Sequence, residues 1–108
     1  MPAALLEGAA IADSASFHEQ CKLAFGFPDF YAATMDAWVD CLSYLRDEDG
    51  MTRFRLKPDE TLEIVVQNAA AMRAQAPDIV EEMTFCIAGI NERYEDYGEK
   101  PALILVLR

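Results

Sequence analysis

The chain is poor in the residues from which most catalytic and cofactor sites are built. It has one histidine in 108 residues, His18, and a lone histidine inside a helical pattern is usually structural. Its three cysteines, Cys21, Cys41 and Cys86, are far apart and form no Cys-x-x-Cys pair. They therefore suggest neither a zinc ligand set nor a disulfide framework, and read as reduced, buried, small hydrophobes. The five glycines are scattered, which leaves no phosphate-cradling loop. Asp47-Glu48-Asp49-Gly50 looks like part of a calcium loop, but placing Gly50 at position six puts Leu45 at position one, where an aspartate is required. No cofactor and no metal are expected. No apolar run approaches the roughly 20 residues of a membrane span, and Met1-Pro2-Ala3 lacks the start of a signal peptide. These features predict a cytoplasmic protein.

Positive charge is also scarce. Nine Lys and Arg stand against 19 Asp and Glu, a formal net charge of −10. Such a chain repels nucleic acid and anionic membranes, and attracts cationic proteins from a distance. The partner expected is a basic protein, with no direct nucleic-acid binding and no membrane.

The length suits one domain over residues 1–108, and 53% hydrophobic residues with 26% charged is ordinary globular usage. An apolar start at residues 3–6, running on through Gly8 to Ile11, predicts a first strand. Ser16 with Glu19 fits a capping box for a helix that carries Phe17, Cys21 and Ala24 or Phe25 on one face and stops at Gly26. A second helix is expected from Thr34 as N-cap to about Arg46. Residues 53–56 and 61–67 are rich in strand formers around a Lys57-Pro58-Asp59-Glu60 turn and predict a hairpin. Asn68 is placed to cap a short helix over 69–75, and Pro77 suits N1 of a fourth. In that helix Ile79, Met83, Cys86, Ile87, Ile90, Tyr94 and Tyr97 recur near the helical period, and Gly98 ends it. Residues 102–107 are apolar almost without break and suit a strand covered on both faces. The order predicts an α/β fold: a small, largely parallel sheet flanked by helices, with residues 53–56 as a hairpin strand at an edge.

The second helix carries the most informative pattern. At about 100° per residue, Met35, Trp38, Leu42 and Leu45 share one face, while Asp36, Asp40, Ser43 and Asp47 form a narrow stripe opposite, flanked by Val39. Like charges four residues apart on a helix repel by roughly 0.2–0.5 kcal/mol per pair. From Gly26 to Gly50 the acids are Asp29, Asp36, Asp40, Asp47, Glu48 and Asp49, against Arg46 alone. Solvated faces usually mix signs, so a one-signed stripe points to binding a basic surface. Catalysis has weaker support. An aspartate dyad needs a tuned pKa and a substrate cleft, and two solvated carboxylates one turn apart supply neither. The chain is expected not to be an enzyme.

The run Pro28-Asp29-Phe30-Tyr31-Ala32-Ala33-Thr34-Met35-Asp36-Ala37-Trp38-Val39-Asp40-Cys41-Leu42 resembles the barstar family of ribonuclease inhibitors. The proline, the acid, both aromatics and the whole Asp36-Ala37-x-x-Asp40-Cys41-Leu42 element match its pattern. Ala32 replaces the family's glycine, Thr34 its asparagine, and Val39 stands where a tryptophan is found. The resemblance implies a three-stranded parallel sheet with four helices, and marks the hairpin strand at residues 53–56 as an insertion. It implies a monomer that inhibits a basic, barnase-like ribonuclease or ribonuclease toxin one-to-one, as an immunity protein held in the producing cell, by inserting the second helix and the preceding loop into the active site. On that analogy Asp40 takes the place of a substrate phosphate, Asp36 pairs with a further base, and Phe30 covers the catalytic histidine, with Asp29, Tyr31, Val39 and Ser43 around them. A further acidic contact from the last helix falls to Glu92 or Glu95. The alternative is a relative of the same fold that docks another basic protein without inhibiting it.

Overall fold

The computed structural model describes residues 2–108. Along the chain come strand β1 (Ala3–Glu7), a single 3-10 turn at Gly8–Ala10, helices α1 (Ser14–Phe25) and α2 (Met35–Leu42), strand β2 (Leu62–Gln67), helices α3 (Ala69–Gln75) and α4 (Pro77–Asp96), and strand β3 (Leu103–Leu107). The strands form one parallel sheet in the order β1-β2-β3, with Leu5 opposite Val65 and Val65 opposite Val106. This is the α/β architecture expected: three parallel strands and four helices. None of the described helices is long and apolar enough to cross a membrane.

Alternation decides which sheet face is buried. Ala4 and Leu6 of β1, Ile64 and Val66 of β2, and Leu103 of β3 lie in the core, whereas Leu5 is 57% exposed. The core they share with Phe17, Phe25, Trp38, Leu42, Met83 and Ile90 joins the sheet to α1, α2 and α4. The apolar run of β3 is not covered on both faces as expected. β3 is an edge strand, and Ile104 is 46% exposed. Val65 of central β2 is buried because a strand lies on either side of it.

Side-chain amides tie both edge strands to their helices. Gln20 of α1 accepts from the Glu7 N–H and donates to the Glu7 carbonyl, each at 2.9 Å. Asn91 of α4 accepts from the N–H groups of Ala102 and Leu103 and donates to the Leu103 carbonyl. Main-chain groups at strand ends that would otherwise lack partners are satisfied by these two residues.

Several further expectations need correction. The first strand stops at Glu7, because Gly8 enters a turn under β2 where a side chain would collide with the main chain. The α1 cap is Asp13, whose carboxylate accepts from the Ser16 N–H at 2.8 Å while the Ser16 hydroxyl accepts from the Asp13 N–H; Ser16 is the third helical residue, and the box lies three residues earlier than expected. Asn68 precedes α3 in the left-handed region (φ 53°) and makes no capping bond; its amide instead donates to both oxygens of Glu7. Finally, residues 53–56 form no strand. Their N–H groups are used elsewhere, Arg53 donating to the Phe25 carbonyl at 2.8 Å and Leu56 to the Leu45 carbonyl at 2.7 Å. The segment is a strap that fastens the end of α1 and the turn after α2, so β2 has no hairpin partner among the described residues. In α4, Met83, Ile87, Ile90 and Tyr94 are buried as the period requires, but Tyr97 lies beyond the helix and is exposed.

The turn at Gly8 yields a test. A Cβ there would stand 2.6 Å from the Asn68 carbonyl oxygen and 2.7 Å from that of Gln67, both main-chain atoms with little freedom to retreat. Gly8→Ala is expected to cost about 1–3 kcal/mol of unfolding free energy in denaturant titration, whereas Gly89→Ala, with open space around its Cβ, should cost little.

Candidate functional site

The acidic helix is oriented by its apolar side. Trp38 is fully buried, its ring 6.0 Å from Phe17 and 6.3 Å from Phe25, and Cys41 and Leu42 follow it into the core. With that face inward, Asp36 and Asp40 point to solvent one turn apart, and both are exposed. Thr34 caps α2 as expected, its hydroxyl oxygen accepting from the Ala37 N–H at 3.1 Å. The helix is shorter than expected, however. It stops at Leu42, with Ser43 as C-cap, so Ser43 and Asp47 do not extend the carboxylate stripe. The Ser43 hydroxyl donates to the Val39 carbonyl at 2.6 Å, which closes the last turn, and Asp47 lies in the turn that follows.

The loop before α2 is held by aromatic packing. Phe25 stacks on Phe27 at 5.2 Å, Phe27 packs on Tyr31 at 4.6 Å, and the Tyr31 hydroxyl meets His18 Nδ1 at 2.6 Å. Tyr31 is thus half-buried and serves as an anchor. Its neighbours point the other way: Phe30 is 78% exposed and Asp29 is exposed. Ala33 sits in the left-handed region with φ 56°, a conformation costly for any residue with a Cβ.

Burial pushes the His18 pKa below its ordinary value, partly opposed by Glu82, and pushes the Tyr31 phenol up. Both groups are therefore neutral near pH 7, and we assign the Tyr31 hydroxyl as donor and His18 Nδ1 as acceptor. Cys21 is equally unsuited to chemistry, since burial raises its thiol to about 12.

Asp36, Val39 and Asp40 face Phe85, Gly89 and Arg93 of α4 across a groove of about 500 Å³. Val39 is half-buried and packs on the core edge. Of the expected residues, the groove brings Asp36, Val39 and Asp40 together. Asp29, Phe30 and Tyr31 lie on the loop leading to α2, and Ser43 lines a neighbouring cleft. Glu92 and Glu95 are exposed on α4 but line neither cavity. The residues of α4 that do line the groove include Phe85, 81% exposed, and Arg93, which makes no ion pair among the described residues. Sequence reasoning missed both. The available signal was Phe85 itself, an aromatic standing off the buried stripe of Met83, Ile87, Ile90 and Tyr94.

Comparison with protein families matches residues 1–106 to the family described as Barstar (barnase inhibitor). Comparison with curated proteins finds no match.

Two predictions concern the loop. Ala33→Gly should relieve the left-handed backbone and raise stability by roughly 0.5–1 kcal/mol, less any entropy gained by the unfolded chain, as read from the denaturation midpoint. For His18, the folded-state pKa lies below the ordinary 6.5, so the unfolded chain binds the proton first. The stabilising contribution is complete above that ordinary value and is lost as pH falls through the folded pKa. Unfolding free energy should therefore decline on acidification below neutrality, and His18→Gln should flatten that decline. An unchanged slope in the variant would exclude His18 as its source.

Proposed function

The chain belongs to the barstar family, and on that footing we propose that it is a stoichiometric, non-catalytic inhibitor of a basic, barnase-like ribonuclease or ribonuclease toxin. The reading has α2 and the loop before it entering the nuclease active site as one acidic plug. A ribonuclease site is lined with cations for phosphate, and carboxylates fixed on a helix can replace that phosphate through charge-assisted hydrogen bonds.

The observation that supports this reading best is the exposed Asp36–Asp40 pair, set on a helix whose other side is fixed by the buried Trp38. In this proposal Asp40 pairs with the catalytic Arg and Lys side chains and Asp36 with a further base. Phe30, an exposed aromatic beside the acids, covers the catalytic histidine, with Asp29 at the rim. Tyr31, Val39 and Ser43 support the contact surface, Tyr31 by anchoring the loop through His18. Phe85 adds an aromatic contact from the α4 wall, the residue class most often found at interface hot spots being Trp, Tyr and Arg, with Phe able to supply the same apolar area. The net charge of −10 accelerates encounter with a cationic enzyme. The complex is one-to-one and forms in the cytoplasm, where the inhibitor protects the cell that makes the nuclease.

The test is inhibition of barnase by the purified chain and its variants. Wild-type protein should inhibit at a molar ratio of one. Asp40→Ala should weaken binding by about 2 kcal/mol or more, roughly thirtyfold, the scale of desolvated charge pairs known from this family's own complex, and Asp36→Ala should weaken it less. The association rate should fall as salt is added. If neither substitution changes inhibition, the acidic plug is refuted. If the wild-type chain binds a basic protein without inhibiting any barnase-like nuclease, it is instead a docking module on the same fold.

A further inference from the structure

A second cleft of about 490 Å³ lies beyond the acidic groove, between the turn after α2 and the end of α4. Tyr44 and Asp47 line it from the α2 side, and Asp96, Tyr97 and Glu99 from the α4 side. Arg93 lines both cavities and stands at the divide between them, so the two are parts of one face. We propose that this cleft is a second cation subsite of the docking face, built to seat an arginine side chain of the same basic partner. The proposal rests on the inhibitor reading for the identity of that partner, but its chemistry stands on the cleft itself.

Three observations carry it. First, Tyr97 is 84% exposed and Tyr44 is 44% exposed, so two phenol side chains at the cleft are open to solvent. Second, the cleft's own lining is acidic: Asp47, Asp96 and Glu99 stand against the guanidinium of Arg93, and with Glu99 paired to Arg46, Asp47 and Asp96 are left open to an incoming cation. Third, the floor of the cleft already displays the chemistry proposed. The Arg46 guanidinium lies 5.0 Å from the Tyr94 ring centroid and pairs with Glu99 at 3.3 Å, and both Tyr94 and Glu99 line the cleft. Both terminal nitrogens of Arg46 are themselves engaged, since they also donate to the carbonyls of Glu60 and Lys100, while its buried Nε has no partner among the described residues. Arg46 therefore shows how a ring and a carboxylate hold a guanidinium here without supplying one to the open side, where Asp47, Asp96 and Tyr97 remain.

The occupant is arginine in preference to lysine. A planar, weakly hydrated guanidinium can stack on an exposed ring while its edge meets a carboxylate, whereas an ammonium is a compact, strongly hydrated point charge. The partner would thus present basic groups to Asp36 and Asp40 and, on the far side of Arg93, one further arginine.

Argininamide titrated into the full-length, isotope-labelled chain tests the subsite directly. Saturable shifts are expected at the backbone amides of Tyr44, Asp47 and Tyr97, with weaker effects from lysinamide. The exposed pair Tyr97→Ala with Asp96→Asn should weaken argininamide binding by about tenfold and leave the fold intact. The same double variant should weaken inhibition of barnase by about tenfold. Shifts that do not saturate, that persist in the double variant, or that are confined to Asp36 and Asp40 overturn the subsite. So does undiminished inhibition by the double variant when the wild type inhibits. Saturable argininamide binding in the cleft by a chain that leaves barnase active supports the subsite while removing the inhibitor reading.

Discussion

The burial of Trp38 is the constraint on which the acidic face depends. An eight-residue helix such as α2 is too short to persist in water by its own hydrogen bonds. Packing therefore holds it, and Trp38, fixed among Phe17, Phe25 and Leu42, sets its rotation. Rotation in turn sets charge. With about 100° between successive residues, a tryptophan pointing inward leaves Asp36 and Asp40 nowhere to go but outward. The repulsion between them is tolerated because burial of the opposite face outweighs a few tenths of a kcal/mol per like-charge pair. The result is a pair of carboxylates that form no ion pair among the described residues, which suits a partner that brings its own cations.

A second layer of support runs through the loop before α2. The stack of Phe25, Phe27 and Tyr31, ending on buried His18, fixes a segment that must leave Phe30 in solvent. Loops that display an apolar residue need such anchoring, because an unanchored phenylalanine would gain by folding back onto the core. Left-handed Ala33 lies in the same stretch, where the surrounding contacts impose a conformation that alanine alone would not choose. The wall opposite α2 is built differently. On α4 the helical period buries Met83, Ile87 and Ile90, and the same geometry sets Phe85 and Arg93 along the groove.

How legible these features were depended on the range of the interactions involved. Gly26, Thr34 and Pro77 act within a turn of themselves, and each does what its local chemistry predicts. Apart from the α1 cap, where Asp13 rather than nearby Ser16 takes the N-cap position, the larger errors fell where a distant partner competes. Asn68 has the side chain of a helix cap, yet it reaches across to Glu7. Residues 53–56 have the composition of a strand, yet their N–H groups satisfy carbonyls left open at Phe25 and Leu45. The predicted extension of α2 to Arg46 failed similarly, since the Leu45 N–H is bonded to the Tyr94 hydroxyl, 49 positions away in sequence.

What the sequence determined by itself was the acidic stripe. Charge sign, helical spacing and the apolar residues opposite are all local quantities, and Asp36 and Asp40 follow from them together with the motif that relates the chain to its family. What only the tertiary structure decided was what the stripe faces. No periodicity in α2 could disclose that Phe85, Gly89 and Arg93 form the other wall, or that Tyr44 and Asp47 meet Asp96 and Tyr97 around a second cleft. Those pairings arise because the core draws α2 and α4 together through residues on their buried sides. Which exposed residues then become neighbours depends on the packing of the two helices, and it cannot be read from either helix alone.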